Sequence, residues 1–392
     1  MVPLNQQAKR VASIAGIEVR LHASLAIVFA LIVMALGTGV LPSWHPEWNQ
    51  FQLWATALTT GVLFFCSVLA HELSHALVAK AHGLAVPRIT LFLFGGVAEM
   101  ESEPDSPRVE FLVAAAGPAM SIGLSLFFLL IFTLLAPPGA YDPEQLGSLA
   151  NLSAPATAAF WLASVNLILG VFNLIPGFPL DGGRLFRAFL WWRTGDQVAA
   201  TRRAADIGRF FGWALLGLGL WRLFNGDVVG GAWLALIGWF LSRLATASVQ
   251  QLLVDRKLTG TQVRDLMRTR FQRVDQRLPL GDFVDDYLLR SSQILWPVSA
   301  GDQDIGLLSL ADISALDGTG GMTVGEAMQP LATALQLAPD LDGREALKQL
   351  VQGPDAPLPV VDGMRVVGLL HQGDILRWLA VHETPAMGDL QA

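Results

Sequence analysis

His71-Glu72-Leu73-Ser74-His75 is the run best equipped for chemistry. On a helix, positions four apart differ by about 40° of rotation and roughly 6 Å of rise, so both imidazoles reach one cation. Glu72 points to a neighbouring side of that face, which suits it to handling a proton rather than to holding the metal. A polar patch that binds helices together is the plain alternative. Location weighs against it, because a carboxylate in an apolar spanning segment costs about 2.5–3.5 kcal/mol and is retained for function. Two His are one ligand short of a catalytic zinc site, which needs three protein ligands and an open position. The next candidate stretch is Phe172-Asn173-Leu174-Ile175-Pro176-Gly177-Phe178-Pro179-Leu180-Asp181-Gly182-Gly183-Arg184. Pro176 and Pro179 end a helix there, and Asp181 is the only carboxylate between Glu144 and Asp196. A broken helix at membrane depth is tolerated where its backbone is buried in protein or lines a wet cavity. An ordinary Pro-Gly helix end, with Asp181 capping the following helix, is the competing reading. The single cysteine, Cys66, excludes a disulfide framework and a Cys-rich metal site, leaving His and carboxylates as ligands.

The elements that must position these residues are apolar. The 392-residue chain is 53% hydrophobic and only 15% charged, which excludes an all-soluble protein. Charge-free runs at 23–41, 51–70, 111–136 and 155–175 each reach about the 20 residues needed to cross hydrocarbon. A weaker pair, 207–224 and 228–242, with Arg209 and Arg222 in the first, reads as a hairpin joined at Asn225-Gly226-Asp227. Residues 1–254 thus hold about six spans, near 22–41, 51–80, 110–136, 155–176, 207–224 and 228–248. If the first span starts inside, the outer loops 42–50, 137–154 and 225–227 contain no Lys or Arg, which places both termini in the cytoplasm. The polar start, residues 1–20, lacks a small-residue cleavage site and does not read as a removable signal peptide. The acidic stretch Glu99, Glu101, Glu103 and Asp105 reads as a solvated loop, His22, His45 and His82 as solvated interfacial residues, and Cys66 as a packing residue.

Residues 255–392 are a different kind of object. They hold 12 Lys+Arg against 19 Asp+Glu, whereas residues 1–254 hold 14 of each, so the net charge of −7 sits in the last third. That balance argues against nucleic acid as a partner. Val263 and Met267 recur at Val324 and Met328, while Pro297, Gly306, Asp312 and Ile313 recur at Pro359, Gly368, Asp374 and Ile375. Two tandem copies of a soluble α/β unit follow, near 261–316 and 323–380.

Together the two motifs resemble the site-2 protease family of intramembrane zinc metalloproteases, in the branch that bears tandem CBS (cystathionine-β-synthase) domains. The resemblance implies one zinc ion per chain held by His71, His75 and Asp181, Glu72 as general base, and Asn173 as a helper that holds the substrate carbonyl or its oxyanion. It implies a polytopic α-helical membrane protein with a small membrane-associated β-ribbon, followed by a cytoplasmic CBS pair. The activity implied is hydrolysis of peptide bonds within or near the spans of single-span membrane proteins, in the plasma (inner) membrane. Residues 92–98 resemble the family's β-ribbon, whose Gly95, Gly96 and Val97 would meet the substrate. Gly117-Pro118 resembles a family Gly-Pro pair, but Ser121 stands where Asn is expected, which puts a polar role there in doubt. The CBS resemblance implies an adenine nucleotide site at Ser309 and Asp312, and a weaker one at Asp374, where His371 replaces the hydroxyl residue. It also implies homodimerisation; the competing reading makes both Asp residues helix caps. A CBS-gated transporter or channel would show inverted repeats, and no corresponding segments are found. A non-catalytic scaffold would have no need of an intact Glu72.

Overall fold

In hydrocarbon every backbone N–H and C=O must be satisfied within its own segment, so each apolar run is expected to fold as a helix. The computed structural model describes residues 8–93, 95–100, 102–136, 149–315, 321–353 and 356–382. Phe94, Glu101 and most of the expected outer loop 137–154 lie outside the described residues. The chain divides into two units, Met1–Gln250 and Gln251–Ala392.

In the first unit, α1 (Ser24–Ala35) runs through a π turn at Leu36–Val40 into α2 (Leu41–Trp44). Six longer elements follow: α3 (Gln50–Ala81), α4 (Pro107–Leu135), α5 (Ala154–Asn173), α6 (Asp181–Thr194), α7 (Gln197–Phe224) and α8 (Val228–Leu258). Among the described residues, five segments are long and apolar enough to cross a membrane, namely Ser24–Trp44, α3, α4, α5 and α8. The fifth expected span, 207–224, lies in the continuous helix α7, which is not among them; α7 carries Arg202, Arg203 and Asp206 ahead of that stretch and Arg209 and Arg222 within it.

The expected ribbon is half of a larger sheet. Strands β1 (Ala8–Ile14) and β2 (Ile17–His22) join β3 (Arg88–Phe92) and β4 (Gly95–Glu99) in the order β1-β2-β3-β4, with β2 and β3 parallel and the other pairs antiparallel. Ile17 and Val19, on one face of β2, are buried. Ile17, Ile89 and Leu91 of the sheet pack with Val68, Ala76 and Ala79 of α3, so burial of apolar surface fixes the sheet beside that helix. Among the described residues, β4 pairs only with β3, which leaves its other edge open.

Two expectations about the first unit are corrected. His45 is buried, not solvated: its Nε2 bonds Thr157 Oγ1 at 2.8 Å, its ring stacks on Trp48, and burial pushes its pKa below the usual imidazole value. Of the acidic stretch, Asp105 is exposed, while Glu99 pairs with Arg88 at 3.2 Å and Glu103 accepts from Gln197 at 3.2 Å. Cys66 is exposed on α3 rather than packed within the unit.

The second unit contains the two repeats. The first comprises α9 (Val263–Leu266), β5 (Val274–Asp275), α10 (Leu280–Phe283), β6 (Leu295–Ala300), β7 (Gln303–Ser309) and α11 (Leu310–Ser314). The second comprises α12 (Val324–Ala327), β8 (Gln329–Pro330), α13 (Gly343–Gln352), β9 (Leu358–Asp362), β10 (Arg365–Leu370) and α14 (Gln372–Val381). Each opening helix completes the other repeat's core: Val263 and Leu266 pack with Val360, Leu370 and Ile375, and Val324 packs with Phe283, Trp296 and Val298. Met267 lies against Gly368 and Met328 against Gly306, so the exchange is reciprocal down to single residues.

Candidate metal centre

α3 starts at a capping box, in which Asn49 and Gln52 bond each other's backbone N–H, and runs without proline to Ala81. His71 and His75 therefore sit one turn apart, both buried, on one face of the helix. α5 stops at Asn173 and the chain turns through Pro176 and Pro179, so that Asp181 opens α6 instead of extending α5. Gly182 and Gly183 admit that turn: a methyl group on either would strike backbone atoms of the 174–178 segment. The two segments converge. Asp181 Oδ2 lies 3.2 Å from His71 Nε2 and 3.1 Å from His75 Nε2, and the two Nε2 atoms are 3.3 Å apart. Among the described residues, this is the one group of three His, Cys, Asp or Glu side chains placed to share an ion.

The donor chemistry fits a metal. His75 Nδ1 faces the Val113 carbonyl oxygen at 2.6 Å. A carbonyl only accepts, so Nδ1 carries the proton and, in the neutral ring, Nε2 presents a bare lone pair. His71 Nδ1 likewise bonds Ser121 Oγ at 2.8 Å and leaves its Nε2 aimed inward. Two imidazole Nε2 atoms and a carboxylate oxygen thus converge on one point, as the ligands of a cation do. Their mutual separations match the edge of a tetrahedron with zinc bonds of about 2.0–2.1 Å, which is about 3.3 Å. Space is reserved as well: a Cβ on Gly117 of α4 would overlap both Nε2 atoms.

A cavity of about 670 Å³ opens on the triad. Glu72, Asn173, Arg184 and the strand residues Gly95, Gly96 and Val97 line it. Gly96 lies so close to Glu72 that any side chain there would collide with the Glu72 Cγ and Cδ. Asn173 spends one amide N–H on the Leu169 carbonyl at 3.0 Å, leaving its second N–H free to serve the cavity. The structure thus gathers eight of the expected site residues: His71, Glu72, His75, Gly95, Gly96, Val97, Asn173 and Asp181. Ser309, Asp312 and Asp374 belong to the second unit. There Ser309 and Asp312 form a capping box on α11, His371 and Asp374 form one on α14, and Arg268 Nε donates to Asp374 at 2.5 Å. Gln329 donates to the other Asp312 oxygen at 2.7 Å. Ser121 has the polar role that its departure from Asn had put in doubt. Gly117 was noted only as part of a Gly-Pro pair, not for the room it leaves beside the imidazoles, and the Val113 carbonyl was missed, since a main-chain acceptor leaves no trace in side-chain spacing.

Residues 59–218 match the family model described as Peptidase family M50. A Mycobacterium tuberculosis protein named as zinc metalloprotease Rip3 is 35% identical over 375 residues, which covers 94% of this chain and 92% of that protein. A zinc metalloprotease of Methanocaldococcus jannaschii is 28% identical over 375 residues, covering 95% of this chain and 96% of its own length. The solved structure of a site-2 protease from Methanocaldococcus jannaschii is 29% identical, with a TM-score of 0.40, and covers 62% of this chain and 95% of that one.

Proposed function

This chain belongs to peptidase family M50, the site-2 protease family, and from that premise we propose that His71, His75 and Asp181 hold the zinc ion of an intramembrane metalloprotease whose general base is Glu72. The observation that carries the assignment is the convergence of two imidazole Nε2 atoms and a carboxylate oxygen on one point. Zinc bound there supplies Lewis acidity and a water whose pKa falls to about 7. Glu72, on the cavity wall, takes up the proton released in the attack and returns it to the leaving amine. We assign the second amide N–H of Asn173, which lines the same cavity, to the scissile carbonyl oxygen. β4 offers an open edge whose backbone groups can pair with an unwound substrate, as in other strand-addition complexes.

Unwinding is essential, because a helical amide is shielded by its own hydrogen bonds. The substrates are membrane proteins; we assign single-span proteins with helix-breaking residues near the cleaved bond. Arg-free and Lys-free outer loops support a cytoplasmic placement of both termini and the repeats. Purified protein in lipid, given a single-span substrate with Gly or Pro at the cut site, is expected to cleave it. Replacement of those residues by Leu is expected to slow cleavage at least 10-fold. Equal cleavage of both substrates would contradict the strand-addition reading.

For the CBS-like repeats we propose an adenine nucleotide near Asp312 as a regulator of cleavage. Such a ligand acts only through unequal affinity for two arrangements of the protein. Calorimetric titration of ATP, ADP and AMP into the whole protein, with Asp312→Ala beside it, tests this. Heat abolished by the substitution supports the site, whereas no heat at millimolar nucleotide leaves Ser309 and Asp312 as a helix cap alone.

A further inference from the structure

α4 contributes no ligand, yet it reaches all three. The Val113 carbonyl fixes His75, Ser121 Oγ holds His71 Nδ1, and Gly117 leaves room between the two rings. The third connection is longer. Glu110, at the first turn of α4, is fully buried and accepts from Arg187 Nε at 2.5 Å and also from its Nη2. Arg187 is six residues beyond Asp181 on α6, and its guanidinium lies 5.2 Å over the ring of Phe178, three residues before Asp181. The pair therefore grips the polypeptide on both sides of the third ligand. Residues 110, 113, 117 and 121 are spaced three, four and four apart, which places them on one stripe of the helix.

We propose that α4 is the template that sets the geometry of the metal centre, with Ser121 and the Glu110–Arg187 pair as positioning residues. The inference rests on the assignment of His71, His75 and Asp181 as ligands. Groups that orient ligands typically change metal affinity 10- to 100-fold when removed. A purely structural pair behaves differently, because replacing both buried charges with apolar residues of like size is often neutral to folding. Removing one charge alone strands the other, so the informative variant is double.

The test measures Zn²⁺ affinity of the whole protein by chelator competition, together with the visible spectrum of the Co²⁺-loaded form, which reports ligand geometry. The variants are Ser121→Ala, Ser121→Thr and the double Glu110→Leu/Arg187→Met. Ser121→Ala and the double variant are expected to weaken zinc binding about 10- to 100-fold and to alter the cobalt spectrum, with the melting temperature of the metal-free protein unchanged. Ser121→Thr, which keeps a hydroxyl, is expected to restore both. Folded variants with zinc affinity within about twofold of the original and the same spectrum would overturn the proposal. Should the double variant not fold, loss in Ser121→Ala without recovery in Ser121→Thr overturns it equally. Failure of the ligand assignment looks different: the unaltered protein, fully folded, would then bind no zinc.

Discussion

A carbonyl oxygen can only accept, so Val113 decides which nitrogen of His75 is free, whereas the Ser121 hydroxyl, which can donate or accept, holds His71 Nδ1 and turns its Nε2 toward the same point. Asp181 then supplies a negative charge beside both rings, which favours a cation held between them. Asp181→Ala leaves two ligands and an open cavity, so zinc content measured by mass spectrometry of the metal should fall well below one per chain. Full occupancy in that variant would show that the carboxylate is not a ligand. At this scale His71, Glu72 and His75 were legible because their relation is local, a fixed rotation along one helix. Asp181 was legible as a lone carboxylate beside a helix break. Glu110 and Arg187 were not, since their pairing spans 77 positions and depends on how α4 meets α6.

Helix α3 holds the histidines and Glu72 in a single rigid register, and the break after α5 delivers Asp181 to them. The sheet sets the opposite wall of the cavity. Gly96 lies against Glu72, so the proposed substrate strand β4 would run beside the proposed base. Gly96→Val is expected to push the Glu72 side chain aside and lower the rate of substrate cleavage at least about 10-fold, with zinc content unchanged. Cleavage at the original rate would remove β4 from the site. The β3–β4 ribbon was readable from its Gly-Gly and apolar run, but β1 and β2 were overlooked. Their signal was present: Ile17, Val19 and Leu21 alternate with Glu18 and Arg20 at the period of a strand. A polar start ahead of a long span drew attention to targeting rather than to structure. His45 shows the complementary error, since its place in a loop suggested exposure while Thr157, 112 positions later, buries it.

The whole chain is built for two solvents. Apolar helices make up most of the first unit, and the acidic repeats make up the second, with the change in composition near the boundary between Gln250 and Gln251. The repeat itself was legible from its spacing, but the exchange of opening helices between repeats was not, because Val263 and Val324 look alike whichever core they enter. Conversely, α7 forms the helix expected over 207–224, where Arg209 and Arg222 lower its apolarity. The central claim is that Glu72 does the proton chemistry beside a zinc ion held by other residues. Its most direct test compares the original protein with Glu72→Gln, reading zinc per chain and cleavage of one single-span substrate on the same samples. Both proteins are expected to hold about one zinc, and the variant to cleave about 10²- to 10⁴-fold more slowly. Cleavage by Glu72→Gln at the original rate, or an active original protein free of zinc, would contradict the account.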